Sequence, residues 1–392
     1  MEPDLSPLDS HLSALGVDAY LIDADSTDSN QRYLSGFDAP DPFVTCYTPD
    51  ELSVLVSGLE YGRAKKESRA DRVDRPVAYD KRKLVDAYGP REASHRVTAA
   101  FLSAGGVDSV AVPERFPVGS ADGLRDQGID VVVDTDDVLV DIRAVKTPTE
   151  LDHVRAAQRA NEAAMAAAEE LIARSTIGDG GQLRVDGEVL TSERLKEAIE
   201  ITLLQHGCGL DETIVACGAA AADPHDRGSG PLQATEPIIV DIFPRSKSTK
   251  YHSDMTRTFC KGEPSETLRE WYDLTERALA AALDSVEPGN TGEDVHAAAC
   301  EVYEDAGLPT LRADPATEVG FIHSTGHGVG LDVHERPRLS TDGGDLVAGQ
   351  VITVEPGLYD PAVGGVRIED IVIVTDDGHE NITEYPIELV VD

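Results

Sequence analysis

The chain has 392 residues, 41% of them apolar, and a formal charge of −39 from 73 acidic against 34 basic side chains. That length suits two domains, and no apolar run reaches the roughly 18 residues of a membrane-spanning helix. The only basic clusters, Gly62–Arg72 and Asp80–Lys83, are short and interrupted by acids; this excludes the basic face that nucleic-acid binding needs.

The acids run along the whole chain rather than forming a tail. Such a surface repels itself at low ionic strength and is tolerated when salt screens it, which predicts a salt-rich cytoplasm. The alternative is an acidic protein with basic partners. The N-terminus, MEPDLSPLDSHLSALG, has no apolar stretch behind basic residues, so no secretory signal is expected. Five cysteines, at 46, 208, 217, 260 and 300, include no C-x-x-C pair. They argue against a disulfide framework and a thiolate zinc site, and they suit a reducing cytoplasm.

Residues 17–24, 52–57, 107–113 and 129–134 read as short strands, with helical stretches such as 82–104 between them. This alternation predicts a small α/β domain over 1–145. Thr147, Pro148 and Glu150 then form a capping box with proline at the first helical position. A long alanine-rich helix is expected from there to about Ser175, opening a second domain over 146–392. Gly178 to Gly187 reads as a polar loop, and 192–207, 265–286 and 293–306 as further helices.

Two segments read as long β-hairpins: 236–259, around a basic turn, and 351–374, around a Pro/Gly turn. Each carries one acid on each arm, Asp241 and Asp254 on the first, Glu355 and Glu369 on the second. The matching layout hints at a duplicated α/β half. Carboxylates among apolar strand neighbours are costly unless paired, so convergence on a cation is expected. The segment IHSTGHGVGLDVHERP adds His323, His327 and His334, with glycines that let the backbone come close and aim an imidazole inward. Four carboxylates and one imidazole suit Mn²⁺, Co²⁺, Fe²⁺ or Zn²⁺, and the histidine argues against Ca²⁺. A pair of such ions can make a hydroxide nucleophile from water.

The stretches STGHGVGLDVHE, VEPGLY, GVRIED and SDMTRTF resemble the metallopeptidases of pita-bread fold, the Xaa-Pro dipeptidases, Xaa-Pro aminopeptidases and methionine aminopeptidases. NQRYLSGF and RAVKTPTELDHVRAA are similar to the creatinase-type N-terminal domain and its linker. The resemblance implies an α/β fold in which Asp241 chelates a first metal, Asp254 and Glu369 bridge, and His327 and Glu355 bind on the second-metal side. It implies that Glu355 also moves the proton, and that His334 and His225 line the substrate pocket and stabilise the tetrahedral intermediate. His323 is implied as a further pocket histidine, and Arg367 as a substrate-pocket residue that holds the carboxylates in place. Two divalent ions, Mn²⁺ first, a peptide substrate cleaved at an Xaa-Pro bond, and a homodimer complete the expectation. The N-terminal domain favours the prolidase and aminopeptidase P branches over methionine aminopeptidase.

One departure is visible: the family usually reads Asp-x-Gly where this chain has Asp241-Ile242-Phe243-Pro244, and the turn to Asp254 is about two residues longer, which bears on specificity. Alternative functions on the same fold are hydrolysis of a small non-peptide amide, such as a compatible-solute ring, and non-catalytic peptide binding.

Overall fold

The alternating strands and helices of the N-terminal third close into one mixed sheet. The structure is a computed structural model describing residues 3–392, and it divides into two compact units, one ending at Arg143 and the other running from Ala144 to Asp392.

In the first unit six strands lie in the order Arg72–Asp74, Leu52–Leu55, Phe43–Tyr47, Ala19–Ala24, Ser109–Pro113, Asp130–Asp134. The central strand Ala19–Ala24 pairs antiparallel with Phe43–Tyr47 and parallel with Ser109–Pro113. Both of its faces are covered. Ala19 and Leu21 pack with Phe101, Leu102, Val110 and Val112, while Tyr20 and Ile22 pack with Leu8, Leu12, Leu34 and Leu139. A sheet clothed on both sides explains the continuous apolar runs. The reading missed two strands, Phe43–Tyr47 and Arg72–Asp74. The first is buried at every position, so it shows no alternation; the second has only three residues. The stretch read as one helix over 82–104 is two, Lys81–Tyr88 and Pro90–Ala104. Gly89 breaks it at φ +82°, with Pro90 opening the next helix.

The second unit repeats a plan of two helices followed by an antiparallel sheet. The helix Pro148–Ala173 begins at the capping box of Thr147 and Glu150, and Ser192–Gln205 follows. These precede a sheet ordered Ile214–Cys217, Ile238–Ile242, Met255–Phe259. Then come Glu266–Asp284 and Gly292–Asp305, and a five-stranded sheet containing Gly326–Gly328, Glu335–Leu339, Val351–Val354, Asp370–Thr375 and Gly378–Asn381. Each half has its own core. One joins Met165, Ile172, Leu195, Ile199 and Val240; the other joins Leu268, Leu279, Tyr303, Ile352 and Val372. On Glu266–Asp284 the buried positions Leu268, Trp271, Thr275, Leu279 and Ala282 recur every three or four residues, giving the stripe that packs. Each large apolar side chain buried there contributes about 1.5–3 kcal/mol.

Two readings change. The Gly178–Gly187 loop contains strand pairs, Thr176–Ile177 with Leu183–Val185 and the latter with Glu188–Val189, anchored by buried Leu183 and Val185. The segment 351–374 holds a hairpin within a hairpin: Val351–Val354 pairs with Asp370–Thr375, and Gly357–Asp360 with Gly364–Arg367 between them. Pro356 and its neighbours interrupt the outer ladder, so Glu355 and Glu369 adjoin strand ends. Only Asp241 of the four acids lies within a strand, since Asp254 immediately precedes Met255–Phe259.

Candidate metal centre

Strand ends deliver the acids to one place. Asp241 lies in Ile238–Ile242, opposite Thr256 in register. The backbone N–H of Glu369 donates to the Thr256 carbonyl at 3.1 Å, joining the two sheets beside the acids. Across from them the glycine-rich strand Gly326–Gly328 carries His327. A Cβ on Gly326 would stand 2.0 Å from the Thr353 carbonyl oxygen, and one on Gly328 would stand 2.0 Å from that of Arg336. Only glycine permits this approach, and the backbone of Glu355 is fixed by donating to the Thr325 carbonyl at 2.7 Å.

Asp254, His327 and Glu369 each offer a ligand atom, all within 4.8 Å of one another. His327 Nε2 lies 3.3 Å from Glu355 Oε1 and 3.8 Å from Asp254 Oδ2. Its other nitrogen, Nδ1, is 3.0 Å from the Gly328 carbonyl. A carbonyl only accepts, so Nδ1 carries the proton and Nε2 presents a lone pair to two carboxylates. Burial and the neighbouring His334 hold this imidazole down to about 3, so it stays neutral. A lone pair facing carboxyl oxygens in a buried site needs a proton or a cation between them, and a divalent ion can take that place.

The carboxylates give the same indication. Asp254 and Glu369, both buried, are pushed above the usual carboxylate range by burial, and then by Glu369, Asp241 and Glu355 at Asp254 and by Glu355 and Asp241 at Glu369. Glu355 is raised to about 8, chiefly by burial. Asp241 Oδ1 is buried and accepts no hydrogen bond, an orphaned acceptor of the kind a ligand commonly completes. The donor set, oxygen-rich with one imidazole, fits a divalent transition ion.

Arg367 organises this set. Its buried guanidinium donates to Asp241 Oδ2 at 2.6 Å, Thr256 Oγ1 at 3.2 Å, Tyr359 OH at 3.0 Å and the Pro224 carbonyl at 3.3 Å. Thr256 Oγ1 in turn donates to Glu369 at 2.8 Å. Every terminal nitrogen is engaged by the protein, so Arg367 steadies the acids and the loop before His225. His323 is likewise engaged at both nitrogens. Nδ1 is 2.7 Å from the Ser324 carbonyl, so Nε2 accepts from Tyr359 OH at 2.9 Å. Burial, reinforced by Arg367, holds its imidazole at about 3. Its geometry is that of a support for Tyr359 and Arg367 rather than of a group presented to a ligand.

His334 and His225 are exposed, and His334 packs edge-on against His327 with ring centroids 4.3 Å apart. His225 and Arg338 both disfavour the protonated form of His334, after burial. His334 also lines a cleft of about 720 Å³ whose other walls include Phe243, Arg245, His252 and Leu331. Sequence reasoning missed Thr256, Thr353, Tyr359, Arg257 and Arg338. Thr353 donates to Glu355 at 3.3 Å, and Arg257 donates to the Glu369 carbonyl at 2.7 Å and Asp370 at 2.9 Å. The available signal was a strand, MTRTF, that carries polar side chains yet is buried throughout. Arg338 faces His327 in register.

The profile of metallopeptidase family M24 matches residues 152–376, and that of the creatinase/prolidase N-terminal domain matches residues 5–145. The chain belongs to metallopeptidase family M24. Among M24 relatives, it is 30% identical to the Xaa-Pro dipeptidase of Pyrococcus horikoshii over 95% of both chains. It is 36% identical to a probable dipeptidase, PepE, of Mycobacterium tuberculosis over 72% of this chain and 68% of that one. The crystal structure of the prolidase from Pyrococcus horikoshii OT3 superposes with a TM-score of 0.79 at 27% identity, covering 98% of this chain and 99% of that one. This M24 chain therefore has the mixed α/β pita-bread fold, and no helix among its described residues is long and apolar enough to cross a membrane.

Proposed function

We propose that the chain is an exopeptidase that hydrolyses the Xaa-Pro bond of dipeptides or of peptide N-termini with two divalent ions, Mn²⁺ first among them. The observation that carries the reading is the neutral His327, its Nε2 lone pair aimed at buried carboxylates. The names of the relatives, Xaa-Pro dipeptidase and prolidase, support the choice of bond.

Asp241, Asp254, His327, Glu355 and Glu369 are the proposed ligands. Bound divalent ions supply the positive charge that polarises a carbonyl and makes water nucleophilic near neutral pH. Glu355, held by Thr353, moves a proton from the attacking water to the leaving proline nitrogen. His334 and His225, at the edge of the centre, donate to the carbonyl oxygen as it gains charge. Arg367 holds Asp241 in place through a charge-assisted hydrogen bond.

A reducing, salt-rich cytoplasm and a homodimer belong to the same reading. The first is supported by five free cysteines and the charge of −39; the second rests on family resemblance. The test is hydrolysis of Ala-Pro, Gly-Pro and Gly-Pro-Ala in molar salt, with and without added Mn²⁺ or Co²⁺. Release of proline from dipeptides alone defines a dipeptidase. Cleavage of the tripeptide at glycine defines an aminopeptidase. No cleavage of any of them, with ions bound, refutes the reading.

A further inference from the structure

Between Asp241 and Asp254 the chain folds an ordered turn that carries Arg245, Lys247 and Lys250. Arg245–Ser246 pairs antiparallel with Cys208–Gly209 and bridges to His252. The Lys247 N–H donates to the Gly207 carbonyl at 3.0 Å, and the Lys250 N–H closes the turn on the Ser246 carbonyl at 2.9 Å. The left-handed φ of +68° at Lys250 completes the reversal. Arg245 lies in this two-residue strand and Lys247 in the turn that follows it.

Both side chains line the cleft of about 720 Å³ that also reaches His334, a volume in the range of small-ligand sites. Acids outnumber bases 73 to 34 in this chain, so cations find partners readily. Arg72, Arg155, Arg257 and Arg312, among others, are ion-paired. Arg245 and Lys247 are exposed and form no ion pair among the described residues. Asp211, Asp332 and Lys250 also line the cleft, so three cations face two carboxylates and its lining is net positive.

We propose that Arg245 and Lys247 form a carboxylate-recognition subsite one step from the metal centre, so that the preferred substrates are short peptides carrying a carboxylate within reach of His334. This rests on the peptidase reading for the identity of the ligand. The carboxylate is either the peptide's C-terminus or an acidic side chain. Guanidinium and ammonium groups bind carboxylates by charge-assisted hydrogen bonds, and a turn already fixed by its backbone bonds loses little freedom on binding.

The test uses reduced-amide isosteres of Ala-Pro and Glu-Pro, which have no cleavable bond, each as free acid and as C-terminal carboxamide, titrated into the full-length metal-loaded protein. The wild type is expected to bind the Ala-Pro acid at least about tenfold more tightly than its carboxamide. Arg245→Gln with Lys247→Gln is expected to bind both alike, with unchanged metal content and circular dichroism. The charge-conserving pair Arg245→Lys and Lys247→Arg is expected to keep the preference. If the Glu-Pro carboxamide binds as tightly as the Ala-Pro acid and loses that affinity in the Gln variant, the side chain supplies the carboxylate; if only the free acids bind tightly, the C-terminus does. A wild type that binds no probe or shows no preference for a carboxylate overturns the subsite, as does a Gln variant that keeps the preference. Because the probes are not cleaved, carboxylate-selective binding by a wild type that hydrolyses no Xaa-Pro peptide would sink the peptidase reading alone.

Discussion

Arg367 Nη2 lies 2.6 Å from Asp241 Oδ2, and neither side chain is more than 12% exposed. This buried pair sits at the hub from which Thr256, Tyr359 and the Pro224 carbonyl are also held. Removing one partner of a buried pair leaves an uncompensated charge. Arg367→Ala is therefore expected to lower stability by about 3–5 kcal/mol in denaturant titrations of metal-free protein. Arg367→Lys keeps the charge but cannot satisfy four acceptors at once, and is expected to fold with weaker metal affinity. Unchanged stability in Arg367→Ala contradicts the hub.

A second buried pair fixes the loop before His334. Lys146 Nζ is 2.9 Å from Glu335 Oε2, with both side chains almost wholly enclosed, while Glu335 Oε1 accepts from the Asp332 N–H at 3.1 Å. Lys146→Met is expected to cost about 3–5 kcal/mol by stranding Glu335. The double variant Lys146→Met, Glu335→Leu is expected to recover part of the loss in chemical denaturation. Additive losses would show that the two side chains are not coupled.

Metal uptake is expected to release protons. Burial, with repulsion from neighbouring acids, raises Asp254, Glu355 and Glu369, with Glu355 at about 8, so the metal-free site holds protons at pH 7. Ligation needs the ionised forms and displaces those protons. Calorimetric titration with Mn²⁺ in buffers of different ionisation heat is expected to show proton release at pH 7 that shrinks as pH rises past 8. No buffer dependence at pH 7 argues against protonated carboxyls.

His296 gives a pH signature away from the centre. Its Nδ1 lies 2.8 Å from Thr325 Oγ1, and burial, aided by Arg312, lowers its imidazole to about 4. The unfolded chain, near 6.5, binds the proton more readily, so this group's contribution is complete above about 6.5 and declines as pH falls toward 4. Stability measured from pH 7 to 4 in wild type and His296→Gln is expected to converge at the acidic end. Parallel curves would contradict a depressed imidazole.

Much of the site was legible because its chemistry depends on residue type and spacing. The four acids, His327, and the glycines that seat it stand in short quotable stretches, and the capping box of Thr147 and Glu150 marks a helix that begins at Pro148. What was not legible depends on three-dimensional neighbours. Nothing in Tyr359 or Thr256 announces that one holds His323 and Arg367 while the other holds Glu369. The strand Phe43–Tyr47 is buried on both faces and loses the period that identifies half-exposed strands. The inner hairpin Gly357–Asp360/Gly364–Arg367 was hidden because its glycines read as a turn, whereas Gly365 is there to admit the Ala221 carbonyl, 1.9 Å from where a Cβ would lie.

Cation binding by Asp241, Asp254, His327, Glu355 and Glu369 underlies the proposed activity. The most direct test is elemental analysis of wild type and Asp254→Asn after reconstitution with Mn²⁺ and removal of free ion, with folding checked by circular dichroism. Two ions per wild-type chain and a marked loss in the folded variant are expected. A wild type that retains no stoichiometric metal, or a variant that retains the same amount, contradicts it.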